Sequence, residues 1–318
     1  MTSLTEPPPR TFLEFPMAQN LDHLEADIAF LGIPYGMPYA HDEYPNDQSK
    51  TPDALRTYNT SVDIQYTKEY FDFDLGGPLL GDKNVRLVDC GNVTVDFDDP
   101  GSHFVRAEAV ARKIFSSGAQ LITIGGDHGI PIPVLRALEV LSQRITLVPI
   151  DAHLDWRDEI DGEHEGYSSP IRRASEMNWV GDIIQIGMRG IGSARTPEVE
   201  DAKSHGCRII TAYEMHDKGI DYVLGEIPAG GPYYLTIDAD GVDPTIMPGV
   251  MAQTPGGLDW IQLHQLIHGL STKGPIVGMD LVEIAPSHDL GNTTLIHAER
   301  LICNFIGASV RSEFFQGA

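Results

Sequence analysis

Residues able to bind metal or carry protons gather in four short runs of the chain. "GGDHG" ends in Asp127 and His128, "IDAHLD" carries Asp151, His153 and Asp155, "IDADGVDP" carries Asp238, Asp240 and Asp243, and "MDLVEIAP" carries Asp280 and Glu283. Carboxylates brought together without compensation raise one another's pKa, and divalent cations relieve that repulsion. A donor set of carboxylate oxygens with two imidazoles and no thiolate favours manganese or a similar ion over a structural zinc site. Two cations sharing bridging carboxylates lower the pKa of a water between them and hold a hydroxide nucleophile near neutral pH. A single aspartate at a strand end is ordinarily a helix cap or turn residue. Capping is a poor account of three such clusters on separate strand ends.

The elements that must position these groups are short apolar runs, eight of them from "ADIAFLGIP" to "PIVGMDLVEI", separated mostly by stretches with helical spacing. Several runs are apolar on both faces, which predicts a mostly parallel sheet covered by helices on each side. The expected fold is α/β: three layers, α/β/α, around an eight-stranded mostly parallel sheet. In such sheets ligands bind beyond the carboxyl ends of the strands, where the acidic clusters fall. Alternate residues of a strand point the same way, so Asp151, His153 and Asp155 converge if extended geometry runs through them, as do Asp238 and Asp240. Neither a Pro/Ser-rich linker nor an internal repeat interrupts the alternation, so residues 25–318 read as one catalytic domain after an N-terminal extension, 1–24. Roughly Pro34 to Asn59 is a long polar stretch after the first strand, read either as a lid or specificity loop or as slack.

Composition narrows the partners. The 318 residues are 42% hydrophobic, enough for a substantial core. Against 22 Lys+Arg stand 46 Asp+Glu, a formal charge of -24 that opposes nucleic acid and anionic membranes and suits a cationic small molecule. Cys90, Cys207 and Cys303 are widely spaced in apolar contexts, as expected of buried thiols in a reducing compartment. With no secretory signal and no apolar stretch of membrane-spanning length, a cytoplasmic protein is expected.

"GGDHG", "DAHLD", "IDADGVDP" and the late "EIAP" resemble, in type, order and spacing, the metal motifs of the ureohydrolases, the family of arginases and agmatinases. The resemblance covers roughly residues 27–310. It implies a dinuclear manganese centre, or nickel in some members, and hydrolysis of a guanidino compound to urea and an amine by a metal-bridging hydroxide. It implies that His128, Asp151, Asp155 and Asp238 hold one metal and Asp151, His153, Asp238 and Asp240 the other, with Asp151 and Asp238 bridging. Glu283 matches the carboxylate that pairs with the substrate guanidinium. Asp243 matches a supporting residue, and Asp127 a partner that orients ligands. A homo-oligomer, trimer or hexamer, is the common state of such relatives.

Two stretches depart from that pattern. The family's His-Gly pair, whose histidine passes protons to the leaving amine, is replaced by "GEHEGYSS". His164 is near the expected distance, as shuttle or as solvated loop histidine, while Tyr167 or Ser168 occupies the matching position. After the first strand only "TPDALR" remains of the usual loop signature, which argues against arginine or agmatine as the substrate. In that loop His41, Asp42, Glu43 and Asn46 are candidates to bind a cationic substrate and Tyr39 or Tyr44 to stack on it, against a plain polar surface loop. Two rival readings are a metal-dependent deacetylase of the same architecture and a non-catalytic partner subunit of a hetero-oligomeric guanidine or biguanide hydrolase. His264 and His268 have helical zinc spacing but lack the glutamate of a metalloprotease.

Overall fold

The computed structural model describes residues 3–40, 45–58, 68–96 and 98–315. Its strands are β1 (Thr5–Glu6), β2 (Ile28–Ile33), β3 (Leu87–Val93), β4 (Gln120–Gly125), β5 (Ile145–Ile150), β6 (Val180–Met188), β7 (Arg208–Thr211), β8 (Tyr233–Asp238) and β9 (Ile276–Val282). They form one sheet in the order β1-β3-β2-β4-β9-β8-β5-β6-β7. The eight expected strands pair in parallel. The ninth, β1, adds an antiparallel edge with Thr5 opposite Val93. Two residues have no periodicity to read, which is why the expected count was eight.

Every residue of β2, β4, β5 and β8 is buried, as strands covered on both faces must be. Along β2, Ile28 and Phe30 join one core while Ala29, Leu31 and Ile33 join the other. Helix Pro100–Ser116 covers the second face with Ala107, Val110, Ala111 and Ile114, a helical stripe started by Asp99, whose side chain accepts from Ser102 N. Helix Trp260–Lys273 covers the first face with Leu263, Leu266, Ile267 and Leu270 after a capping box between Asp259 and Gln262. On its other side the rings of His264 and His268 stack at 4.0 Å, and His264 Nε2 lies 3.2 Å from the Asp74 carbonyl, so the pair is part of the helix's packing. No helix among the described residues is long and apolar enough to cross a membrane.

The acidic clusters follow β4, β5, β8 and β9, which are the four adjacent strands β4-β9-β8-β5 at the sheet's centre. Strand order reverses there, because the chain leaves β4 and re-enters beyond β9 and β8. Ile150 pairs with Ile237 and Asp238 with Val282, so Asp151, Asp238 and Glu283 emerge at nearly one level. Helix Thr51–Thr57 is tied beside them: Thr51 Oγ1 donates to the Ile284 carbonyl at 2.7 Å. Its Arg56 forks onto Asp89 with two 2.9 Å bonds, both side chains fully buried. Removing one partner of such a pair strands a buried charge, at a cost of about 3–5 kcal/mol.

Candidate metal centre and active site

Turns, rather than strand alternation, bring the clusters together. β5 stops at Ile150, Asp155 takes φ +48°, and β8 passes at Asp238 into a 3-10 turn over Ala239–Gly241. Extended geometry therefore does not run through Asp151–Asp155 or Asp238–Asp240, contrary to expectation. Gly241 lets the two turns touch: a Cβ there would lie 2.6 Å from Asp151 N. Gly126 does the same after β4, where a Cβ would meet the Pro34 carbonyl at 2.2 Å.

One carboxylate oxygen of each of Asp151, Asp238 and Asp240 is fixed by the backbone. Oδ1 of Asp151 accepts from His153 N (2.6 Å), Oδ1 of Asp238 from Asp240 N (2.8 Å), and Oδ1 of Asp240 from Ala152 N (3.3 Å). Each Oδ2 then faces an imidazole. His128 Nδ1 lies 3.0 Å from Asp151, 2.9 Å from Asp155 and 3.2 Å from Asp238, and His153 Nδ1 lies 3.1 Å from Asp240. Two triads of donor atoms, each within 4.8 Å, result: His128, Asp151 and Asp238, and Asp151, His153 and Asp240. Asp151 belongs to both, and Asp155 joins the first through His128.

A cation fits these atoms. His128 Nδ1 and Asp151 Oδ2 are buried and close, yet neither makes a hydrogen bond. On its other side His128 Nε2 lies 3.0 Å from Thr236 Oγ1, which donates onward to Asp280 Oδ1 at 2.7 Å. With the threonine proton committed to Asp280, Nε2–H donates to Thr236 and the Nδ1 lone pair is turned towards the carboxylates, the tautomer a metal requires. Charge agrees: burial, with Asp240 and Asp151 alongside, pushes Asp238 well above the usual carboxylate range, and burial with Asp151 pushes Asp155 up to about 6. Such carboxylates take up a proton or a cation, and divalent ions would relieve the repulsion among them.

Above this floor lies a cavity of about 430 Å³. Glu283, at φ +63°, is turned into it. Its Oε1 accepts from His128 N at 2.8 Å and its Oε2 from Gln48 Nε2 at 3.0 Å. Burial and the neighbouring Asp127 raise its pKa to about 8, so a cationic ligand would favour its ionised form. Positive φ at a non-glycine residue is costly, and Asp155 and Glu283 both adopt it where they face the cavity.

The structure brings together His128, Asp151, His153, Asp155, Asp238, Asp240, Glu283 and Asn46, all expected from the sequence. Asn46 donates to Asp127 (3.2 Å), which also accepts from Gly129 N (3.0 Å). Asp127 thus ties the first loop to the strand end, and Thr236, not Asp127, orients the His128 ring. Asp280 stays within β9, register partner of Thr236, and does not reach the triads. Asp243 accepts from Thr245 and from Gly256 N, closing the loop beside the site. His164 does not line the cavity: its side chain is half exposed, with Nδ1 2.8 Å from the Asp158 carbonyl. Tyr167 and Ser168 line it instead, and Tyr39, packed edge-on against Tyr167 at 4.7 Å, accepts from Ser168 N. His41, Asp42, Glu43 and Tyr44 lie outside the described residues.

Three contributors were missed. Gln48 stands in a stretch with no periodic signal. Thr236 reads as an ordinary strand residue. Arg189, in the glycine-rich "GMRGIG", is buried and donates to six carbonyls, among them Asp240 at 2.5 Å and Thr254 at 2.6 Å, bracing the Asp238–Asp240 turn from below.

The model of the Arginase family matches residues 26–307. Among curated relatives, an agmatinase of Escherichia coli O7:K1 is 29% identical over 91% of this chain and 90% of its own length. A guanidinobutyrase of Pseudomonas aeruginosa is 29% identical over 92% and 89%. Of solved structures, the agmatine ureohydrolase of Thermoplasma volcanium superposes with a TM-score of 0.75 at 28% identity, covering 92% of each chain. The proclavaminate amidino hydrolase of Streptomyces clavuligerus has the same fold, with a TM-score of 0.74 at 24% identity over 98% and 99%. The chain therefore belongs to the arginase family and is an amidinohydrolase of the agmatinase type.

Proposed function

We propose that the chain hydrolyses a cationic guanidino compound to urea and an amine with two divalent metal ions, manganese first and nickel second. The observation that carries this is the pair of donor triads sharing Asp151 on the floor of a cavity into which Glu283 is turned. His128, Asp151, Asp155 and Asp238 would hold one ion and Asp151, His153, Asp238 and Asp240 the other. When bound, the ions supply charge balance and a water acidified towards neutral pH, the nucleophile for the guanidinium carbon.

The chain's own residues do the rest. Glu283 receives the planar N–H donors of the guanidinium on an acceptor-only carboxylate, held in place by Gln48 and His128 N. That pairing sets the carbon over the floor, and fixed geometry of this kind is a large part of the barrier lowering. Thr236 and Asp280 keep the His128 ring in register. Tyr167 and Ser168, on the cavity wall, would supply the hydroxyls from which the departing amine gains its proton.

The test is urea release over a panel of guanidines after loading with manganese or nickel, with metal counted per chain. About two ions per chain and urea from at least one compound are expected. One tightly held zinc per chain would favour the deacetylase reading, and full occupancy without urea from any compound would favour a non-catalytic subunit.

A further inference from the structure

The far end of the substrate is constrained by the charge of the cavity wall. We infer that an N-alkylguanidine, with a small uncharged substituent, is preferred to a guanidine ending in a carboxylate, which is rejected; this rests on the hydrolysis proposed above. The guanidinium end is met by Glu283 and the acidic floor. Apart from Gln48, which is bonded to Glu283, and Asn46 and Asp127, which are bonded to each other, the rest of the lining is Tyr167, Ser168, Ser193, Met251 and Ala252, none of them charged. No lysine or arginine lines the cavity among the described residues, and the residues outside that description include neither type.

Nearby guanidinium groups are already engaged. Arg157 donates to the Ser193 carbonyl at 3.2 Å and faces Glu198 at 3.2 Å. Arg189 is buried beneath the Asp238–Asp240 turn on its carbonyls. A carboxylate tail would enter this wall with no cation to pair it, in a chain whose net charge is -24. A charge taken out of water and left unpaired discriminates strongly between ligands of one shape. Met251, 54% exposed, and the Tyr39–Tyr167 pair offer apolar surface instead, which an alkyl group covers.

Two compounds of similar length separate these cases: N-butylguanidine and 4-guanidinobutyrate, each given to the manganese-loaded full chain. Urea release gives kcat/KM, and calorimetry on the same protein gives Kd. N-Butylguanidine should lead on both measures, with 4-guanidinobutyrate about 100-fold or more behind. 4-Guanidinobutyrate equal to or ahead of it would overturn the inference, and so would no measurable binding of either. Should no urea form, the reaction proposed above fails while the calorimetric order still decides this inference. Met251→Lys supplies the cation the wall lacks and should raise 4-guanidinobutyrate relative to N-butylguanidine at least about tenfold. An unchanged ratio would show that wall charge does not set the choice.

Discussion

On the cavity floor each of Asp151, Asp238 and Asp240 gives one oxygen to a backbone amide and turns the other to an imidazole, whereas Tyr167, Ser193 and Met251 on the wall are carried by connecting segments. The floor inherits its geometry from the register of four central strands and the tight turns at their ends, while the wall inherits its geometry from loops that vary without disturbing the sheet. Reaction type and substrate choice are thus written in different parts of the fold. An agmatinase and a guanidinobutyrase are equally similar to this chain, each at 29% identity, so overall similarity does not choose between their substrates.

The sharpest way to break the comparison is at its shared ligand. Asp151→Ala removes the one residue common to both donor triads, so both ions should be lost and kcat/KM should fall below detection, with metal content and far-UV circular dichroism read together. Retention of two ions would mean that the floor is not organised around Asp151. Next comes Glu283→Gln, which keeps the shape and the bond from His128 N but loses the charge. Metal should remain while kcat/KM drops about 10³-fold, in keeping with one lost partner of a buried charge pair. A near-normal kcat/KM would remove Glu283 from substrate recognition.

How legible these regions were follows the same division. The floor could be read because its ligands sit in short motifs at strand ends, with spacings that survive as text. How they converge could not be read, because the left-handed turn at Asp155 and the close approach at Gly241 are properties of the backbone. Gln48 was invisible for another reason: its partner Glu283 is 235 residues away, and nothing local marks either as the other's neighbour. Thr236 was hidden within β8, because its meaning comes from Asp280 on the adjacent strand and His128 on the loop after β4.

Thr236 tests whether the floor depends on support beyond its ligands. Thr236→Val keeps the volume but removes the oxygen that fixes the His128 tautomer. Metal affinity measured by chelator competition should weaken about 10–100-fold. KM at saturating metal should change little. A shift in KM with metal affinity intact would mean that Thr236 acts on the substrate instead.

The smallest effect belongs to His164, the one histidine near the expected place of a proton shuttle. A group that protonates a leaving amine must come within hydrogen-bond reach of it, directly or through one water. His164 is instead half exposed, its Nδ1 on the Asp158 carbonyl and its Nε2 3.8 Å from Glu159, and it is not part of the cavity lining. His164→Ala should therefore change kcat/KM by no more than about threefold, as solvent-facing substitutions do. Tyr167→Phe, on the wall itself, should cost more. A loss of about 100-fold in kcat for His164→Ala with KM unchanged would place the histidine in the proton path, and would require its loop to swing inward once the floor is loaded and substrate is bound.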